Sequence, residues 1–162
     1  MSFDDLLQAN EEYARDFPHA GFDGIARQGV LIVTCMDSRI DPRLMIGMEH
    51  GDVKILRSPG GKVSTSVLTG AVLSVQLLSV DRIMIVPHTR CAMAGSDDDI
   101  RKIIEQRSGA NTSWISFGAS PDQMDRLRRD VDMVNSHPLI NGAAEVGGFL
   151  YDVDTGRLDQ II

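Results

Sequence analysis

Apolar positions along the chain follow two patterns. The first is short and continuous. Residues 29–37 (GVLIVTCMD), 53–58 (VKILRS) and 82–88 (RIMIVPH) are apolar runs rich in β-branched residues, the composition of strands buried on both faces. The second recurs at helical spacing. Over residues 3–17, Phe3, Leu6, Leu7, Tyr13, Ala14 and Phe17 share one face, with Asn10 as the one polar interruption. Residues 66–80 repeat that spacing despite Gly70, and 96–107 do so behind Ser96 and Asp99, a capping pair, with Gly109 placed to stop the helix. A further helix is predicted from Ser120 to about Ser136, with Pro121 in its first turn and Gln123 completing a capping box. Met124, Leu127, Val131 and Val134 would form its buried face. The last sixteen residues, GGFLYDVDTGRLDQII, read as two strands joined at Asp154-Thr155-Gly156.

Strands that alternate with helices predict an α/β fold: a mostly parallel central sheet flanked by helices, with an antiparallel C-terminal edge strand. No repeat, low-complexity tract or flexible linker divides the chain, so 1–162 is expected to be a single domain. In such sheets ligands gather outside the carboxyl ends of the strands.

Composition narrows the picture. Aromatic residues make up only 5% of the chain, so the core must rest on aliphatic side chains. A net charge of −7 argues against nucleic acid or an anionic membrane as partner, and no apolar run approaches the roughly 20 residues of a membrane span. The acidic, amphipathic start does not resemble a signal peptide, and a cytoplasmic location is expected. Two cysteines in such a chain are a poor disulfide framework. Taken alone they would be small buried hydrophobes.

Their contexts suggest otherwise. The first strand runs out into Cys35-Met36-Asp37-Ser38-Arg39, and the strand at 82–88 runs out into His88-Thr89-Arg90-Cys91. His88 and Cys91 share one tight turn, and Cys35 arrives from a strand that should lie nearby. Zinc favours sulfur and nitrogen donors in a tetrahedron, and three protein ligands leave one position for water, as in a catalytic site. A structural site would need a fourth ligand, and the chain has no third cysteine. Zn2+, one per chain, is therefore the expected cofactor. Asp37 and Arg39 could be a surface ion pair of little consequence. Placed beside a metal, Arg39 would instead hold Asp37 ionised and oriented to accept a hydrogen bond from water, or Asp37 could swing in as a fourth ligand.

Other features read more plainly. Arg57-Ser58-Pro59-Gly60-Gly61 is taken as a strand-to-helix turn and lacks a nucleotide-binding pattern. His19, His50 and His137 are expected at the surface, Trp114 in packing, and Asp97-Asp98-Asp99 as favourable charge at a helix start. The cysteines do not form the C-x-x-C of a redox dithiol, and the H-x-E and P-C-x-x-C pair of zinc deaminases is missing.

Cys35-Met36-Asp37-Ser38-Arg39, Arg57-x-x-Gly60-Gly61 and His88-Thr89-x-Cys91, in that order over residues 30 to 152, resemble the β-class carbonic anhydrases, most closely their short bacterial and archaeal branch. The resemblance implies a parallel α/β core over 28–162 and a helical arm over 1–20 that packs on a partner in a homodimer, which could pair further into a tetramer. It implies zinc held by Cys35, His88 and Cys91, with Asp37 and Arg39 as a catalytic dyad, and hydration of carbon dioxide to bicarbonate. The chain departs from the family's usual pattern at Ser58-Pro59, where Asn-Ala is usual, and at Ala92, where glycine is usual. These departures leave open a rival substrate, carbonyl sulfide or carbon disulfide. A non-catalytic zinc-binding regulator is the rival from another class.

Overall fold

The computed structural model describes residues 2–162. Five strands form one sheet in the order β2-β1-β3-β4-β5. They are β1 (Val30–Cys35), β2 (Val53–Ser58), β3 (Arg82–Val86), β4 (Glu145–Tyr151) and β5 (Leu158–Gln160). The first four are parallel, and β5 returns antiparallel to β4 as the edge. Four α-helices accompany them: α1 (Asp4–Arg15), α2 (Thr65–Leu77), α3 (Asp97–Ser108) and α4 (Gln123–Asn135). The predicted class is the observed one.

Position in the sheet explains how far each run is buried. All six residues of β1 are buried, because β1 lies between β2 and β3 with side chains packed on both faces. β2 was expected to match it and does not: it is an edge strand, and Ile55 and Arg57 stay exposed. On one face of the sheet Leu31, Val33, Ile83 and Ile85 meet Val67 and Ala71 of α2 and Leu127, Val131 and Val134 of α4. Gly70 is tolerated inside α2 because the helix presses on β2, and a Cβ there would lie 2.8 Å from Leu56. The opposite face carries a smaller cluster around Val30, Ile32 and Val86.

Helix ends follow local chemistry, with one correction. The Ser96 side chain accepts from the Asp99 N–H, and Gly109 in the left-handed region closes α3. The expected Ser120–Gln123 capping box does not form. The helix starts later, with Asp122 as its cap accepting from Asp125, which frees the Gln123 side chain for another partner. Trp114, expected in packing, is 80% exposed, held only by its indole N–H donating to the Asn111 carbonyl. His137 is half-buried beside the Leu139 N–H. Of the two other histidines expected at the surface, His50 is exposed and His19 half-buried, and their rings stack at 4.0 Å between centroids.

The connections set the place for chemistry. From β1 the chain passes to β2 on one side, and β3 lies on the other. The loops leaving β1 and β3 therefore diverge, opening a crevice at their carboxyl ends. No helix among the described residues is long and apolar enough to cross a membrane.

Candidate metal centre

Cys35 is the last residue of β1, and His88 stands two residues beyond β3. Because β1 and β3 are adjacent and in register, with Thr34 opposite Val86, the sheet itself brings these ends together. His88 is fully buried and bridges to Tyr151 of β4, whose carbonyl also accepts from the Thr89 N–H at 2.9 Å. The turn that follows carries Arg90 in the left-handed region at φ 53°, an unfavourable conformation for a side chain of that size, and doubles the chain back so that Cys91 returns to His88. One ligand atom from each of Cys35, His88 and Cys91 lies within 4.8 Å of the others, and the two sulfurs are 4.0 Å apart without being bonded.

The hydrogen bonds fix the state of each donor. His88 Nδ1 lies 2.8 Å from the Thr89 carbonyl, which can only accept. Nδ1 therefore carries the proton, and the lone pair is on Nε2. That Nε2 is buried and has no hydrogen-bond partner. An unpartnered buried acceptor is costly unless something else fills its lone pair. The two thiols are within hydrogen-bonding reach of each other at 4.0 Å. The hydrogen bond from Cys91 lowers the Cys35 thiol to about 4, and the same contact raises Cys91 well above its ordinary value. The Gly60 N–H adds a hydrogen bond to Cys35 Sγ at 3.3 Å.

Asp37 and Arg39 stand beside this cluster. Arg39 Nε and Nη2 donate to the two carboxylate oxygens of Asp37 at 2.9 and 2.7 Å, a bidentate pair, and the Arg39 N–H donates to Oδ1 at 2.9 Å. The Arg39 side chain holds the Asp37 carboxyl far below the usual range, and its own pKa is raised in return. Asp37 Oδ2 lies 3.8 Å from His88 Nε2, facing the cluster without joining it. Arg57 stiffens the loop by donating to the carbonyls of Asp37 and Ile40. The centre opens to solvent through a cleft of about 490 Å³, whose walls include Met93, Pro59 and Ala92.

Three neighbours escaped the sequence reading. Gln123 donates to the His88 carbonyl at 3.0 Å, Arg126 donates to the Gly60 carbonyl at 2.8 Å, and Tyr151 packs against the Cys35–Cys91 cluster. Gln123 and Tyr151 left no local signal. Arg126 left one: with Asp130 and Val134 it forms an i, i+4 row on the buried side of α4.

Comparison with known proteins agrees with this geometry. The family described as carbonic anhydrase matches residues 30–120, and beta-carbonic anhydrase 1 of Mycobacterium tuberculosis is 30% identical over 163 residues, covering 98% of this chain and 96% of that protein. The chain belongs to the β-carbonic anhydrase family. A crystal structure of carbonic anhydrase from Streptococcus mutans superposes with a TM-score of 0.88 at 30% identity, covering 100% of this chain and 99% of that one. The carbon disulfide hydrolase of Acidithiobacillus thiooxidans is 25% identical over 149 residues, covering 78% of this chain and 74% of its own length. In this member of the β-carbonic anhydrase family, Pro59 and Ala92 both line the cleft.

Proposed function

We propose that the chain is a zinc-dependent carbonic anhydrase, with Cys35, His88 and Cys91 holding one zinc ion. The observation that carries the reading is the unpartnered Nε2 of fully buried His88, with two thiol sulfurs within 4.8 Å of it. One imidazole and two thiols suit zinc, which takes such donors and leaves a coordination position free. Zinc bound there supplies the Lewis acidity that brings the ionisation of water into the neutral range.

The chain's own residues do the rest. Asp37, ionised and oriented by Arg39, accepts a hydrogen bond from a water in the cleft and directs its lone pair at the substrate. Met93, Ala92 and Pro59 give the cleft an apolar wall for carbon dioxide, which needs no charged recognition. Bicarbonate and the proton released from the water both leave by the same open cleft. The Thr89 carbonyl keeps His88 in the required tautomer throughout.

The test is stopped-flow hydration of carbon dioxide on protein of known zinc content, from mildly acidic to alkaline pH. Arg39 occupies both oxygens of Asp37, which holds Asp37 away from the metal position. Turnover is thus expected at neutral as well as alkaline pH. Zinc near one per chain with no hydration at any pH overturns the reading. Carbon disulfide hydrolysis is the second reading, favoured by the related hydrolase and by Pro59 and Ala92 in the cleft wall. Parallel assays on both substrates separate the two.

We infer further that residues 28–162 are the catalytic core and 1–20 an arm that docks on a second copy, forming a homodimer that could pair into a tetramer. The exposed apolar side chains of α1 support this, as does the half-exposed edge strand β2. Two free thiols 4.0 Å apart suit a reducing compartment, which supports a cytoplasmic location.

A further inference from the structure

Arg126 sits in an unusual position for an arginine. It is 5% exposed, its Nε has no hydrogen-bond partner, and among the described residues no carboxylate lies within 4.0 Å of it. A guanidinium stays charged at any ordinary pH, so a full positive charge is buried there without a conventional ion pair. Such a charge is costly unless something nearby compensates it. Asp130, one turn further along α4, is a buried carboxylate whose ionised form Arg126 favours, but it lies beyond ion-pair distance of the guanidinium and accepts instead from the Val63 N–H at 3.1 Å.

The direct contact of the guanidinium lies on the other side, towards the metal centre. Arg126 Nη2 donates to the Gly60 carbonyl at 2.8 Å, and the N–H of that residue donates to Cys35 Sγ at 3.3 Å. The guanidinium packs so closely on Gly60 that a Cβ there would lie 2.9 Å from Nη1. One glycine thus separates the buried cation from a sulfur that becomes anionic when it binds a metal.

We propose that Arg126 is a positioning residue of the metal centre, a fixed buried cation that balances the two-thiolate donor set and aims the Gly60 N–H at Cys35. The inference rests on the zinc reading above. It assigns a function to a helix α4 residue that touches neither the metal position nor the cleft water.

The experiment measures zinc affinity by competition with a chromophoric chelator at neutral pH, with thermal melting alongside, on the full chain. Wild type is compared with Arg126→Gln, Arg126→Lys and Arg129→Gln. Gln keeps an N–H for the Gly60 carbonyl but loses the charge, whereas Lys keeps the charge. Arg129 is exposed and pairs with Asp125, so it serves as control. Arg126→Gln is expected to bind zinc about 10- to 100-fold more weakly, the usual loss when an outer partner of a metal ligand is removed. Arg126→Lys should recover most of that loss, and Arg129→Gln should match wild type. Wild-type affinity in folded Arg126→Gln overturns the proposal, as does an equal loss in the Gln and Lys proteins. If Arg126→Gln does not fold, Arg126→Lys decides: affinity within a few-fold of wild type supports the charge, and a tenfold loss refutes it. A wild-type protein that binds no zinc would sink the zinc reading itself, a different outcome.

Discussion

Helix α1 and strand β1 carry two of the clearest apolar patterns in the chain. In β1 all six residues are buried, and the strand ends on Cys35 inside the metal cluster. In α1 no residue is buried: Leu6 and Leu7 are each 61% exposed, and Phe3, just ahead of the helix, is 74% exposed. β1 finds its partners within the chain because β2 and β3 flank it and helices cover its face. At the end of the α1 stripe Tyr13 packs edge-on against Phe17, which in turn packs on His19. A pattern therefore specifies an element, while the rest of the fold decides what that element is for. An exposed stripe of this kind is the mark of an interaction surface.

Several changes would break or sharpen this contrast. The largest effect is expected from Cys35→Ser at the end of β1: zinc content by atomic absorption should fall towards zero and hydration to background. Full zinc and activity in that protein would remove the centre from this place. Next, Asp37→Asn should keep its zinc yet lose about 10- to 100-fold in kcat/KM, since the amide cannot hold the doubly occupied Arg39 fork. On the α1 side, Leu6→Asp with Leu7→Asp should leave far-UV circular dichroism unchanged while light scattering reports a smaller particle. An unchanged mass would mean that the stripe is not the docking surface.

A smaller effect is expected at the junction beneath the site. Gly60 has φ of 71°, and a Cβ would meet both Arg126 and Met93 at 2.9 Å. Gly60→Ala should therefore cost about 1–3 kcal/mol in urea unfolding. The smallest is Asp130→Asn. Burial raises the Asp130 pKa, so folding favours its protonated form. The stability that this contributes is present below the unfolded carboxyl value and is lost as pH rises through the folded one. Asn can still accept from Val63, so this variant should melt at or slightly above wild type at pH 7, with the gap closing towards pH 4. A gap that widens in acid would reverse the assignment.

The comparison also marks how much could be read in advance. The role proposed for Asp37 and Arg39 comes from the family resemblance, while the α/β class, the antiparallel C-terminal strand, the Ser96 and Gly109 helix ends and the three proposed metal ligands follow from local pattern and spacing. Each depends on chemistry within a few residues: strand runs, cap side chains, an H-x-x-C turn. The Ser120 cap was misread because the helix begins two residues later, where the Asp122 side chain accepts from the Asp125 N–H. Trp114 was misread because a large aromatic in a loop need not find a wall. β2 was read as central because its composition matches β1, and composition carries no strand order.

The chain by itself determined its elements and the donors it could offer a metal, since both are written in residue type and short spacing. Only the tertiary structure decided that β1 and β3 are neighbours, so that Cys35 meets His88 across 53 positions of sequence. It alone decided that Arg39 takes both oxygens of Asp37, that Gln123 reaches His88, and that Arg126 is buried behind Gly60. These depend on which strand lies beside which and on what remains unpaired after packing. Burial turns an ordinary arginine and an ordinary histidine into groups that need a partner, and burial is a property of the folded whole.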